Sequence, residues 1–169
     1  FKIKDQYVMC TGGDDERKNL AGLIEAYGKL PREIIDKYQL VIVCKLSAPA
    51  MERYTALAAK LKVTDRVILT NFVSDRELLV LYNLAKLMAF PSVYEGFGLP
   101  VVEAWACGTP VLTSNNSSLV QIAGDAAVIV DPKDLKDITK GLQYALTECD
   151  LTELLKRGEK RLQEFQWEK

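Results

Sequence analysis

The sequence predicts an α/β fold, a parallel sheet flanked by helices, and three observations lead there. Short apolar runs, several of them β-branched throughout, alternate with longer segments of helical period. Strands buried on both faces and joined by helices read this way, and the count of runs here gives a sheet of about six strands. The chain of 169 residues, 49% hydrophobic and 27% charged, has the length and composition of one globular domain. A chain of this size buries roughly 70% of its unfolded surface, enough for a core that needs no covalent staples.

The elements follow in order. Tyr7-Val8-Met9-Cys10 is a first strand, ended by Gly12-Gly13-Asp14-Asp15. From Asn19 onward, Leu20, Leu23, Ile24 and Tyr27 recur at three- and four-residue intervals, one face of an amphipathic helix. Pro31 opens a short helical piece before the strand Leu40-Val41-Ile42-Val43. Residues 50–61 are helical, with Pro49 suited to the first turn. Val67-Ile68-Leu69 is a third strand, and Asp75 caps the helix that carries Leu78, Leu79 and Leu81. The second half repeats the rhythm: strand 87–90, helix 100–106, strand 111–112, strand 127–130, helix 135–146 and a polar amphipathic helix over 151–165.

Composition excludes several functions. With 22 Lys+Arg against 23 Asp+Glu, the net charge of −1 argues against nucleic acid or an anionic membrane as the main partner. No apolar run approaches the ~20 residues that cross a bilayer, and the opening Phe1-Lys2-Ile3-Lys4 carries no signal-peptide stretch. Cys10, Cys44, Cys107 and Cys149 are far apart, without C-x-x-C spacing, and there is no histidine. These are the thiols of a reduced, cytoplasmic protein, with no metal site expected. Without histidine, no Ser-His-Asp or Cys-His machinery can be built from this chain.

Loops after strands deserve the most weight, because open α/β sheets bind ligands at the carboxyl ends of their strands. In the first loop, Gly12 and Gly13 permit positive φ and close backbone approach to a ligand. Arg17 and Lys18 then stand at a helix start, where cations oppose the dipole unless an anion neutralises both. An unliganded lysine there is expected to cost the free chain stability. In the second loop, Gly96 and Gly98 bracket Phe97, and Pro100 starts a helix. The amides of Gly96, Phe97, Gly98 and Leu99 are therefore expected to face a bound anion, with Glu95 in the loop and Glu103 in the helix's first turn. Two glutamates around a glycine-bearing helix start suit sugar hydroxyls. The third such loop, residues 113–118, Thr-Ser-Asn-Asn-Ser-Ser, is a polar tract after the fifth strand that could line a ligand cleft, although polar tracts are usually just loops.

The segment Pro91-Ser92-Val93-Tyr94-Glu95-Gly96-Phe97-Gly98-Leu99-Pro100, followed by Glu103-Ala104-Trp105-Ala106-Cys107-Gly108-Thr109-Pro110-Val111, resembles the signature of the retaining glycosyltransferases of family 4, or group 1. Arg17-Lys18-Asn19-Leu20, Ser117-Ser118-Leu119, Gly124-Asp125-Ala126-Ala127 and Trp167-Glu168-Lys169 fall in the family's order and spacing, so the resemblance spans nearly the whole chain. It implies a GT-B enzyme of two Rossmann-like domains. Residues 1–169 are similar to the C-terminal, donor-binding half, so the N-terminal acceptor domain is expected elsewhere in a longer protein, with any membrane association arising there.

By this resemblance Lys18 binds the donor diphosphate, Glu95 meets the transferred sugar and Glu103 holds the ribose hydroxyls. The amides of residues 96–99 contact sugar and phosphate, and Asn71-Phe72-Val73 faces the base. The implied reaction moves a sugar from a nucleotide diphosphate donor to a glycan or lipid-linked hydroxyl with retention, without metal or other cofactor and without nucleic acid. The Arg-Lys-Asn variant resembles bacterial mannosyltransferases of surface polysaccharide synthesis, which points to GDP-mannose. Two positions depart from the pattern. Gly13 stands where many relatives carry arginine, leaving Arg17 to supply the charge, and Gln121 replaces a frequent glutamate. A nucleotide-sugar-binding module without turnover is the alternative, and a hydrolase or phosphorylase of the same fold a third reading.

Overall fold

In the computed structural model, which describes residues 1–165, six strands form one parallel sheet. They are β1 (Gln6–Gly13), β2 (Tyr38–Lys45), β3 (Val67–Leu69), β4 (Leu87–Phe90), β5 (Val111–Ser114) and β6 (Val128–Val130). Their order is β3-β2-β1-β4-β5-β6, with every pairing parallel. The helices are α1 (Leu20–Gly28), α2 (Arg32–Lys37), α3 (Ala48–Lys60), α4 (Asp75–Leu84), α5 (Leu99–Ala106), α6 (Ser117–Ala123), α7 (Leu135–Thr147) and α8 (Leu151–Leu162). The terminal Trp167-Glu168-Lys169 lies outside the described residues.

Apolar patterning explains the layering. β4 is buried along its whole length and β2 along all but Lys45, so both faces of the sheet must be covered. α1 packs against α3 and α7, while α8 packs against α5 and α6. Crossovers between parallel strands are right-handed as a rule, which with this strand order assigns the two groups to opposite faces. Trp105, Tyr27, Phe90 and Met9 are the bulkiest fully buried side chains between the layers.

The register sets where a ligand can enter. β1 pairs with β2 over its full length, from Gln6–Tyr38 to Gly13–Lys45. With β4 it pairs only at Val8–Leu87 and Met9–Met88. Residues 10–13 therefore run on along β2 after leaving β4, and the sheet opens at the point where the strand order reverses. This is the topological switch point of a doubly wound sheet, where such folds bind ligands.

Several local expectations change. Gly12 and Gly13 do not end the first strand; they are its last two residues. Ser74, not Asp75, caps α4: the Glu77 amide donates to Ser74 Oγ at 3.3 Å and the Ser74 amide to Glu77 Oε2 at 2.8 Å. Residues 117–123, within and beyond the polar tract, form the helix α6. The last helix ends at Leu162 and tightens into a 3₁₀ turn over Gln163–Phe165. All four cysteines are free, and burial pushes the Cys10 thiol up to about 12 and Cys44 to about 11. Among the described residues, no helix is long and apolar enough to cross a membrane.

Candidate active site at the sheet's switch point

The carboxyl ends of β1 and β4 carry the two loops singled out in the sequence, and the fold joins them. Val93 N donates to Arg17 O at 2.7 Å, a backbone bond across the crevice. Asn19, at φ 55°, donates from Nδ2 to Pro91 O (3.1 Å) and Pro132 O (2.8 Å), tying in the loop after β6.

Lys18 and Glu95 meet at the centre. Lys18 Nζ donates to Glu95 Oε1 at 2.7 Å, with the two side chains only 22% and 11% exposed. The ammonium also lies 5.2 Å from the centroid of the Phe90 ring. A Cβ added at Gly12 would come within 3.2 Å of Lys18 Cγ, so glycine makes room for the lysine stem. Lys18 does not start a helix. It ends a 3₁₀ turn, Glu16–Lys18, and left-handed Asn19 separates it from α1. The anionic group beside this cation in the structure is the Glu95 carboxylate.

Arg17 pairs with Asp15 at the surface, within electrostatic reach of Glu95. Its guanidinium binds the Asp15 carboxylate through Nε at 2.9 and 3.0 Å and Nη2 at 2.5 Å, and it is 63% exposed. The same bonds hold the Asp15 carboxyl down at about 2.

The second loop is braced by the polar tract that follows β5. Ser118 Oγ donates to Glu95 O at 3.0 Å and to Phe97 O at 2.8 Å, while the Glu95 amide donates to Ser117 Oγ at 3.1 Å. Asn116 Nδ2 donates to Val93 O at 2.8 Å. Ser117 sits at φ 51°, unusual for a non-glycine residue. The sequence marks this tract as a possible cleft lining but gives these three residues no individual role; the structure shows them bracing the second loop. Phe97 packs edge-to-face on Phe165, their centroids 5.9 Å apart.

Glu103 lies in the second turn of α5, which begins at Leu99, so it is not the first-turn residue expected and no dipole argument explains it. Tyr82 OH donates to Glu103 Oε2 at 3.0 Å and accepts from Thr11 Oγ1 at 3.2 Å. Burial pushes the Tyr82 phenol far up, so it stays protonated. Tyr82 was not foreseen, yet it links Thr11, the neighbour of Gly12, to Glu103. The Glu103 side chain otherwise faces solvent beside a cavity of about 220 Å³ under α4.

Phe72 and Val73, between β3 and α4, line a cavity of about 190 Å³ with Gly12, Cys44, Lys45 and Asn71. Phe72 is 75% exposed, an unusual exposure for phenylalanine. Gly12, Phe72 and Val73 share one cavity, Lys18 and Glu95 meet beside Gly12, and Glu103 lines a second cavity, joined to Thr11 through Tyr82. Gly96, Phe97 and Leu99 are exposed on the second loop, and Gly98 is buried. Gly98 is left-handed, at φ 99°, whereas Gly12, Gly13 and Gly96 are not, which corrects the expectation of positive φ in the first loop.

Comparison with known proteins identifies the family and the fold. The family model described as glycosyl transferases group 1 matches residues 1–161. A serotype-specific mannosyltransferase, WbdA, of Escherichia coli is 37% identical over 149 residues, covering 88% of this chain and 18% of that protein. O-antigen chain mannosyltransferase B of Escherichia coli is 34% identical over 166 residues, covering 96% of this chain and 42% of that protein. The chain thus spans less than half the length of these relatives. Among solved structures, sucrose-phosphate synthase of Thermosynechococcus elongatus superposes with a TM-score of 0.82 at 28% identity, over 95% of this chain and 41% of that one. WaaG, a glycosyltransferase involved in lipopolysaccharide biosynthesis, has the same fold, with a TM-score of 0.77 at 24% identity over 96% of this chain and 43% of that one. The family and the fold agree: the chain belongs to the glycosyl transferases of group 1 and has the Rossmann-like fold of GT-B glycosyltransferase domains.

Proposed function

We propose that this chain is the nucleotide-sugar-binding domain of a retaining glycosyltransferase that moves a sugar, mannose from GDP-mannose, onto a hydroxyl of a growing glycan. The observation that carries the reading is the largely buried Lys18–Glu95 pair at the switch point, a cation and a hydroxyl acceptor side by side. The mannosyltransferase relatives support the choice of sugar.

Breaking the anomeric bond leaves negative charge on the departing diphosphate. Lys18 and the amides of residues 96–99 stabilise that charge, and such preorganised donors act most strongly where charge develops. The chemistry asks for no metal. Glu95 accepts hydroxyls of the transferred sugar and orients the ring. A glycosidase pair would instead flank one bond at about 5–9 Å. Glu103, steadied by Tyr82, receives the ribose hydroxyls, and Phe72 offers an aromatic face to the base at the 190 Å³ cavity. The acceptor is bound by parts of the protein beyond this chain.

Calorimetric titration with GDP, UDP, GDP-mannose and UDP-glucose tests the reading, GDP and GDP-mannose being expected to bind best. Glu103→Ala should weaken GDP and guanosine alike, because both carry the ribose. The loss of a carboxylate accepting two hydroxyl bonds is about 1.5–3 kcal/mol. Tyr82→Phe, which frees the carboxylate but leaves it present, should cost less. Unchanged guanosine affinity in Glu103→Ala would remove Glu103 from the ribose.

A further inference from the structure

We infer that Glu95 competes with the diphosphate for Lys18 and thereby drives the nucleoside diphosphate product off the site once the sugar has left. This rests on the reading of Lys18 as the diphosphate-binding cation. One ammonium has two anionic claimants, and Glu95 holds it at 2.7 Å.

Both partners are carried on anchored backbone. Glu95 is fixed through its amide to Ser117 Oγ and its carbonyl to Ser118 Oγ. The Lys18 amide donates to Asp15 O at 2.9 Å, and the neighbouring Arg17 carbonyl accepts from Val93. Forming the pair therefore orders little chain, and its burial shields it from the screening that weakens surface ion pairs.

With an intact donor in place, four groups make two matches: diphosphate on Lys18 and sugar hydroxyls on Glu95. When the sugar departs, Glu95 loses its hydroxyls and becomes a largely buried carboxylate beside a diphosphate. Returning to Lys18 gives the carboxylate a partner and takes one from the product. The sugar on the donor is what keeps Glu95 away, so an intact donor is held in preference to the spent diphosphate.

The experiment measures GDP and UDP binding and dissociation, with guanosine and uridine as controls, in wild type, Glu95→Gln, Lys18→Met and the double variant. Removing the competing charge in Glu95→Gln should tighten the diphosphates about tenfold, the scale of one charge-assisted bond, and slow their release. Nucleoside affinity should not move. In the Lys18→Met background the same glutamate substitution should change diphosphate affinity by less than about twofold, since no ammonium is left to release; contact through Lys18 would then be the whole coupling. Glu95→Ala repeats the test with the side chain removed. A gain that persists without Lys18 would mean simple repulsion between carboxylate and diphosphate, and would overturn the inference. So would tight GDP or UDP binding to wild type with no gain in either glutamate variant, which leaves the diphosphate reading intact. Failure of every variant and of wild type to bind GDP or UDP would overturn that reading as well.

Discussion

Lys18→Ala is expected to destabilise the free chain and to erase most of its preference for nucleoside diphosphate over nucleoside. Considered alone, a lysine beside a helix start should be relieved by its removal. The structure reverses the sign, because Lys18 ends a 3₁₀ turn and neutralises Glu95, a carboxylate 11% exposed. Without the ammonium that carboxylate keeps its desolvation penalty and loses its partner, a cost of about 2 kcal/mol. The lysine stem also fills the space beside Gly12. Denaturant titration should show the midpoint falling. Calorimetry should show GDP losing affinity while guanosine keeps it. In the complete enzyme, turnover should fall about 10²–10³-fold, the usual effect of deleting one preorganised donor to developing charge. A variant as stable as wild type, or one that weakens GDP and guanosine equally, would return Lys18 to the status of a surface charge.

Gly98→Ala should be the most damaging single methyl group in the site. Gly98 caps α5 at φ 99° and ψ 42°, a conformation that L-residues adopt at a cost of about 1–2 kcal/mol. An added Cβ would also fall 2.6 Å from Leu119 Cδ2, and Leu119 is fully buried on α6. Overpacking of this kind typically adds about 1–3 kcal/mol. The two together should lower stability by about 2–5 kcal/mol. Any relaxation pushes α6 away from the loop that Ser117 and Ser118 hold, so GDP binding should fall too. Gly96→Ala is the matched control, two residues away in the same loop. Its backbone is not left-handed and nothing lies within 4 Å of its added Cβ, so stability should stay within about 0.5 kcal/mol of wild type. Similar losses in both variants would mean that loop composition, not the geometry at Gly98, governs the effect.

Much of this architecture was legible because burial writes itself into runs of apolar residues. β3 and β4 fall at residues 67–69 and 87–90, as the β-branched and apolar runs indicate. α6 was not legible. Its seven residues begin with two serines after two asparagines, and Ser117 enters from a left-handed conformation with no side-chain cap to advertise a helix. The glycines were over-read for a related reason, since sequence shows the absence of a Cβ but not which dihedral uses it. Gly98 needs its freedom, while Gly12 needs only space for Lys18. Lys18 and Glu95 could each be singled out from their loops. Their contact could not, because the backbone that brings them together runs through strands distant in sequence.

The short register between β1 and β4 has a kinetic consequence. Each half of the sheet, β1 to β3 and β4 to β6, can be assembled by neighbouring stretches of chain, as local as a parallel sheet allows. Joining the halves closes the whole intervening chain between Val8 and Leu87 for only two paired residues, a large entropic demand for a small initial return. That seam should form late in folding and open first. Under native conditions the Met88 and Cys10 regions should therefore exchange amide hydrogens through lower-energy openings than the centre of β2, despite equal burial. The crevice is built on the seam, so it exists only when the two halves have joined, and a nucleotide bound there would act as a clasp that slows unfolding of the whole sheet. Equal protection along β1, β2 and β4, with or without GDP, would show that the sheet opens as one unit.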